Sequence, residues 1–439
     1  MSGHLVDSLA TTDALARVFG DESMVQAMLD FESALAEAQA KLGVIPRSAA
    51  EAIATSARAA HFDAARLARE AREHATVAIP LVRALRAHVR AIDADASRFV
   101  HWGATSQDVA DSALILALRQ ARPILAADHR RLDAALTKLS AEHASTVMLA
   151  RTLLQPASPT TFGLKAAHWV AALRRGWARV EREYEGAMLV QLGGAAGTLA
   201  AMGDHGLDVA SAVAEELGLA APTAPWHSDR DRLAALVAAL GVYTGTLGKI
   251  ARDVSLLMQD EVGEAAEPGG GSSTLPHKRN PAAAAITLAA ATRMPSLVSA
   301  YLSGMVQEHD RAVGGWHAEW PTVAAVVQAA GAGLAALAAA IEGLTVDADR
   351  MRANIERTRG AVFAERFVML TASRLGRDKA EALVRQALDT ARARGQTFKQ
   401  ALADLPDAVA ALSPQELQTI DDPNAYLGAA EALRQRLLS

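Results

Sequence analysis

Residues 268–281 read Pro-Gly-Gly-Gly-Ser-Ser-Thr-Leu-Pro-His-Lys-Arg-Asn-Pro, and their types and spacing suit the handling of an anion. Gly269 to Gly271 can take positive φ at little cost. Ser272 and Ser273 bring two hydroxyls, and His277, Lys278 and Arg279 bring up to three cations. Asn280 and Pro281 suit the N-cap and first residue of the alanine-rich helix expected next. A cationic, hydroxyl-bearing loop ending at the positive end of a helix dipole is a place to stabilise negative charge. A plain glycine-serine linker does not need the Lys-x-Asn-Pro that follows. A phosphate-binding P-loop needs Gly-Lys-Ser/Thr in order, and here the lysine follows Pro-His.

Three further segments combine polar side chains with turn residues. His101 to Asp108 (His-Trp-Gly-Ala-Thr-Ser-Gln-Asp) is expected to open a helix, with Thr105 and Ser106 able to donate hydrogen bonds to a carboxylate. Arg151 to Gly163, which contains Thr152 and Gln155, reads as a polar turn before a helix. Gln307-Glu308-His309-Asp310-Arg311 leads into Trp316-His317-Ala318-Glu319-Trp320. Taken alone, each is compatible with ordinary helix capping.

The elements that must position these segments are helical. The chain has 439 residues, of which 51% are hydrophobic, 21% charged and only 4% aromatic. Alanine, the best helix former, dominates, and β-branched runs are few. From Ser228 the run Ser-Asp-Arg-Asp resembles a capping box. Apolar residues then recur at Leu233, Leu236, Leu240, Tyr243, Leu247, Ile250, Val254 and Leu257, a heptad seam on a helix of about thirty residues. Gly241, Gly245 and Gly248 lie mostly off that seam and would let a second helix approach. Leu125, Leu132, Leu136 and Leu139 repeat the pattern. Long seamed helices need partners, so the middle of the chain predicts a bundle, and apolar residues on several faces predict self-association.

The first hundred residues read as shorter amphipathic helices broken at Gly43 to Pro46 and at Ile79-Pro80, and the tail after Asp347 as helices stopped at Gly360, Gly376 and Gly395. The expected architecture is all-α, with domains at 1–110, 111–345 and 346–439. Pro321 to Leu344 is nearly all apolar, but it is mostly alanine and glycine and is read as a buried helix rather than a membrane span. Met1 to Leu15 lacks the apolar core of a secretion signal. A net charge of −5 with dispersed basic residues argues against nucleic acid. The absence of cysteine excludes disulfides and thiolate chemistry and fits a cytoplasmic protein.

In this order, on this helical frame, the four segments resemble the fumarase/aspartase superfamily across essentially the whole chain. Gly-Ser-Ser-x-x-Pro-x-Lys-x-Asn-Pro at Gly271 to Pro281 is its specific signature. The stretches Thr105 to Asp108, Pro225 to Arg232, Leu275 to Pro281 and Trp316 to Trp320 look like its bacterial carboxymuconate branch. The resemblance implies a homotetramer around a long helix bundle, active sites shared between subunits, no metal or organic cofactor, and a small tricarboxylate substrate with no nucleic-acid or membrane partner. It implies an intramolecular lyase that interconverts 3-carboxy-cis,cis-muconate and its lactone. Ser272 would carry the proton, and Lys278 and Asn280 would bind the carboxylate whose charge grows. His101, Thr105, Ser106, Gln107, Thr152, Gln155, Ser273, His309 and Arg311 would bind substrate, with His227 in support and Arg279 paired with an acid.

Two departures sharpen the expectation. Many lyases of the superfamily carry Thr-His in the second segment, where Leu153 follows Thr152 here. They also place a glutamate five residues after the loop asparagine, where this chain has Ala285. An amine or hydroxide leaving group needs a general acid. A carboxylate, whose conjugate acid has a pKa of about 4, leaves already stable at neutral pH. Joint loss of the pair therefore favours lactone chemistry over adenylosuccinate- or argininosuccinate-type elimination. The third possibility is a helical scaffold that has lost catalysis, against which Ser272, Lys278 and Asn280 all stand.

Overall fold

The computed structural model describes residues 5–439. The first four residues of the Met1–Leu15 segment lie outside this range. The fold is all-α, with strands limited, among the described residues, to two small antiparallel pairs. Contacts divide the chain into two units that alternate along the sequence. One comprises residues 1–130, 175–249 and 285–337, the other 131–174, 250–284 and 338–439. This differs from the three consecutive domains expected, because five long helices each contribute residues to both units.

The first unit begins with α1 (Asp13–Val18), α2 (Asp21–Lys41), α3 (Arg47–Ser56), α4 (Ala64–His74) and α5 (Ala78–Ile92). The break at Gly43 to Pro46 forms as expected, with Gly43 at φ 72 and Pro46 as the N-cap of α3. Ile79-Pro80 does not break the chain. Pro80 lies in the first turn of α5, where its missing N–H costs nothing, and the break falls earlier at Ala75, φ 54. The core of the unit joins Met28, Phe31 and Leu35 of α2 to Leu81, Leu85 and Val89 of α5 at helical spacing. It continues into α6 (Ser106–Glu142) through Val109 and Leu116. Farther along come α7 (Phe162–Ala187) and α8 (Gly206–Leu217), which packs on α2.

α9 (Asp231–Leu257), α10 (Ala282–Ser303) and α11 (Gly315–Glu342) are the long apolar helices. All eight seam residues of α9 are buried, and so are the four leucines of α6. Burying one such side chain contributes roughly 1.5–3 kcal/mol. Two of the three glycines of α9 act as expected: a Cβ on Gly241 would meet Val298 at 2.8 Å, and one on Gly248 would meet Ala291 at 2.6 Å. The capping box expected at Ser228 does not form. The helix starts three residues later, at Asp231, because Arg230 is held inside the protein.

These three helices match a membrane span in length and hydropathy. The most apolar windows of α9 and α11 are 61% and 67% buried within the protein, whereas that of α10 is only 22% buried. α10 therefore keeps an open apolar face.

In the second unit, β1 (Val147–Thr152) and β2 (Gln155–Thr161) form a hairpin, where the sequence suggested only a turn. Val147 and Leu149 bury one face against Ile355 of α12 (Ala348–Arg357) and against Phe363. β3 (Ala265–Ala266) pairs with β4 (Thr345–Val346). The tail adds α13 (Ala364–Leu375) and α14 (Arg377–Arg394) around Phe367, Leu383, Phe398, Leu402 and Ile420. Gly360, Gly376 and Gly395 all take positive φ at helix boundaries, as expected.

Candidate active site

The first unit holds six of the expected residues: His101, Thr105, Ser106, Gln107, His309 and Arg311. The turn before α6 is tied to α2 at two points. Gln39 donates to the Trp102 carbonyl at 2.7 Å, and His101 Nδ1 lies 2.6 Å from the Glu32 carboxylate. Burial pushes the His101 imidazole down, but the Glu32 charge and hydrogen bond outweigh it and hold the group above its usual range. With Nδ1 engaged, Nε2 is the nitrogen left for a ligand.

Asp108 organises the next layer. Its buried carboxylate accepts from the Thr105 amide at 2.9 Å, from the Gly193 and Gly194 amides at 3.0 Å each, and from His227 Nε2 at 2.7 Å. Four donors on one carboxylate fix Thr105 and the Gly194 peptide together. Arg311 then leans on both, donating to Thr105 Oγ1 at 3.0 Å and to the Gly194 and Ala195 carbonyls at 3.3 and 3.2 Å. Gly194, at φ 70, leaves no room for a Cβ, which would lie 2.7 Å from the Gly103 carbonyl oxygen. His309, at φ 51, is exposed two residues before Arg311 in the chain.

Gln107 is placed differently from the expectation. It is fully buried, and its amide donates to Asp111 at 3.2 Å and to the His227 carbonyl at 2.8 Å. It therefore positions its neighbours and presents no surface to a ligand. Gln107 joins a buried cluster that no motif announces. Arg230 bonds Asp111 at 2.8 and 3.0 Å and Glu319 at 2.6 Å, and stacks on Trp226. Trp316 and Gln191 donate to Asp111, and Tyr301 and Gln307 to Glu319. Burial pushes the Glu319 carboxyl up against the pull of Arg230. The signal lay in Asp108 and Asp111, three apart on one helix face, and in the acid of the Trp-His-Ala-Glu-Trp run.

The second unit holds Thr152, Gln155, Ser272, Ser273, Lys278 and Asn280. Thr152 and Gln155 face each other across the tip of the β1–β2 hairpin. The two turn residues, Leu153 and Leu154, both take positive φ (50 and 64) and are 96% and 76% exposed. Behind the tip, Arg151 forms a two-pronged ion pair with buried Glu264 at 2.8 and 2.7 Å, and Asn354 donates to Glu264 at 2.8 Å.

The glycine-serine loop closes on itself. Gly271 bridges to Arg279, and the Asn280 amide donates to the Gly270 carbonyl at 2.6 Å. Gly270 has φ 72, and a Cβ there would overlap the Asn280 carbonyl oxygen, so only glycine fits. Ser272 Oγ accepts the Leu275 and Thr274 amides at 3.1 and 3.3 Å. Lys278 and Ser273 are exposed and Asn280 is half-buried on the same loop. Arg279, expected beside an acid, has no carboxylate partner among the described residues.

One expectation is corrected here. The first amides of α10 are not open to an anion, because Glu267, itself buried, accepts from Ala283 at 2.8 Å and Ala284 at 3.2 Å. The protein satisfies its own helix start with a carboxylate. The donors that remain for negative charge at Ser272 are those of Thr274 and Leu275.

The chain belongs to the lyase family, within the fumarase/aspartase superfamily its motifs resemble. A family model described as "Lyase" matches residues 8–295, and one described as "Adenylosuccinate lyase C-terminus" matches residues 360–437. A 3-carboxy-cis,cis-muconate cycloisomerase of Bradyrhizobium diazoefficiens is 47% identical over 99% of this chain and 97% of its own length. A nitrosuccinate lyase of Streptomyces davaonensis is 41% identical over 99% of this chain and 94% of its own. The crystal structure of a 3-carboxy-cis,cis-muconate lactonizing enzyme from Pseudomonas putida matches with a TM-score of 0.95 at 42% identity, covering 99% of this chain and 98% of that one.

Proposed function

We propose that this protein is a cytoplasmic intramolecular lyase that interconverts 3-carboxy-cis,cis-muconate and 4-carboxymuconolactone, working as a homotetramer with active sites drawn from more than one copy. The observation that carries the chemistry is the pair of backbone amides on Ser272 Oγ. An alcohol is a poor base unless its alkoxide is stabilised, and two fixed N–H donors do that. In the lactonising direction a substrate carboxylate oxygen adds to the alkene, and the electrons pass to the carbon beside a second carboxylate. Ser272 gives its proton to that carbon. In reverse, the alkoxide removes the proton and the ring C–O bond breaks, releasing a carboxylate that needs no acid. Lys278 and Asn280 hold the carboxylate that receives the charge, and Ser273 supports the proton carrier.

Thr105, Ser106 and Arg311 hold a second carboxylate, with His101 and His309 beside them. Thr152 and Gln155 complete the set from the hairpin. The glycines let the loop shut over substrate, as catalytic lids do. The open apolar face of α10 supports the tetramer, because burying it against other copies removes from water what one chain leaves exposed.

The test is turnover by the purified protein, followed spectroscopically, with 3-carboxymuconate, adenylosuccinate and nitrosuccinate in parallel. Consumption of the first alone is expected. Faster turnover of either alternative defeats the substrate assignment, and turnover of none leaves the scaffold.

A further inference from the structure

Two arginines that no motif contains stand over the same cavity as the Thr105 turn. Leu81, Leu85 and Val89 commit one face of α5 to the core, which turns Arg83 and Arg86 outward, three residues apart and one turn above each other. Both line a cavity of about 410 Å³ together with His101, Thr105 and Ser106, and no carboxylate lines it. Each arginine has modest commitments elsewhere. Arg86 donates once, to the Val100 carbonyl at 3.2 Å, and Arg83 has one contact, with His74 at 3.3 Å. A guanidinium offers five N–H donors, so both keep most of theirs for a ligand. Glu32 is buried against His101, and Glu70, which feels the Arg83 charge, is not part of the cavity lining, so no carboxylate shares the cavity with the two guanidinium groups.

We infer that Arg83 and Arg86 form a carboxylate-binding wall that sets the preference of this cavity for a tricarboxylate over a dicarboxylate. The choice of substrate rests on the function proposed above, but the preference for a third carboxylate does not. A triply charged acid bound at the Thr105 turn has carboxylates to spare, and this wall lies on the same cavity to take one. Planar guanidinium groups suit the wall because they grip a carboxylate with two parallel bonds.

The experiment compares the full-length protein with R83Q/R86Q, with each single variant and with R83K/R86K. Kinetics with 3-carboxymuconate are measured alongside calorimetric binding of propane-1,2,3-tricarboxylate and glutarate. In R83Q/R86Q the expected result is a KM at least tenfold higher, kcat within threefold, tricarboxylate affinity down at least tenfold and glutarate affinity within threefold. The lysine variant should recover part of both losses. Unchanged tricarboxylate affinity overturns the inference. Equal weakening of both acids also overturns it, since that marks a diffuse field rather than a seat. Should the wild type fail to turn over 3-carboxymuconate, the proposed function falls, and the calorimetric arms still decide the arginines. Should the double variant misfold, the single variants carry the same comparison.

Discussion

Replacing Asp108 with asparagine removes one atom's worth of charge and leaves the shape intact, so it isolates what the carboxylate does. One oxygen accepts from Gly193 and His227, the other from Thr105 and Gly194. An asparagine must turn its NH2 toward one of these pairs. Facing Thr105 and Gly194, it would meet two backbone donors that cannot change. Facing Gly193 and His227, it meets only one, because the imidazole can present a lone pair instead. The second orientation costs less. It strands one buried amide, worth about 1–3 kcal/mol, and weakens the remaining bonds from charge-assisted to neutral. The total loss is about 3 kcal/mol. Thr105 and the Gly194 carbonyl are the supports of Arg311, so the damage should also appear in substrate binding. Urea unfolding followed by circular dichroism should show the lower stability with an unchanged slope, and steady-state assays a KM raised tenfold or more. A variant within about 0.5 kcal/mol of wild type, with an unchanged KM, would refute the role given to Asp108.

Ser272→Ala should lower kcat by at least about 10²-fold while helicity and subunit assembly persist, because general acid–base groups contribute typically that much; sedimentation and circular dichroism check the second half, and loss of assembly would make the serine structural. Leu153→His should not raise the lactonising rate, since the attacking carboxylate is already ionised and needs no partner to activate it, and a large gain would reveal a missing acid–base group. Leu153→Asn with Leu154→Gly should stabilise the isolated fold by about 1–2 kcal/mol, because both turn positions have positive φ where leucine is strained; thermal melts measure it. Glu32→Gln should cost most stability at low pH. The folded His101 binds its proton more tightly than the unfolded one, so the Glu32 contribution is full below about pH 6.5 and fades as pH rises through the raised value. Denaturation of both proteins at pH 6 and pH 9 reads the difference, and an equal gap at both would refute the pairing.

Features written as local periodicity were legible in the chain. The α9 seam needed only the alternation of three and four, and every predicted position is buried. The glycines at 360, 376 and 395 were readable because a left-handed residue at a helix end has few alternatives. The glycine-serine loop was readable as a loop because its residues adjoin in sequence. What could not be read joins residues far apart. Arg230 meets Asp111 and Glu319 across 119 and 89 positions, and no spacing announces that. The same distance concealed the unit boundaries, which cut through long helices. Arg83 and Arg86 resemble any solvated helix face until the cavity beneath them is seen. Glu267 was hidden for another reason: it caps α10 from beyond a fourteen-residue loop, whereas capping rules search only the adjacent few residues.

That long-range cap makes the stretch between Glu267 and Ala283 a tethered ring. Its two feet are clamped to each other, so a change of length in the serine-bearing segment between them does not pull on the alanine-rich rod behind. Ring size becomes an adjustable dimension: doubling a loop's length costs only about 0.6 kcal/mol in closure entropy. Adding glycines beside Gly269, which lies outside the Gly270–Asn280 closure, would therefore retune the reach of the flap, and the tempo of catalysis with it, while the scaffold melts at an unaltered temperature.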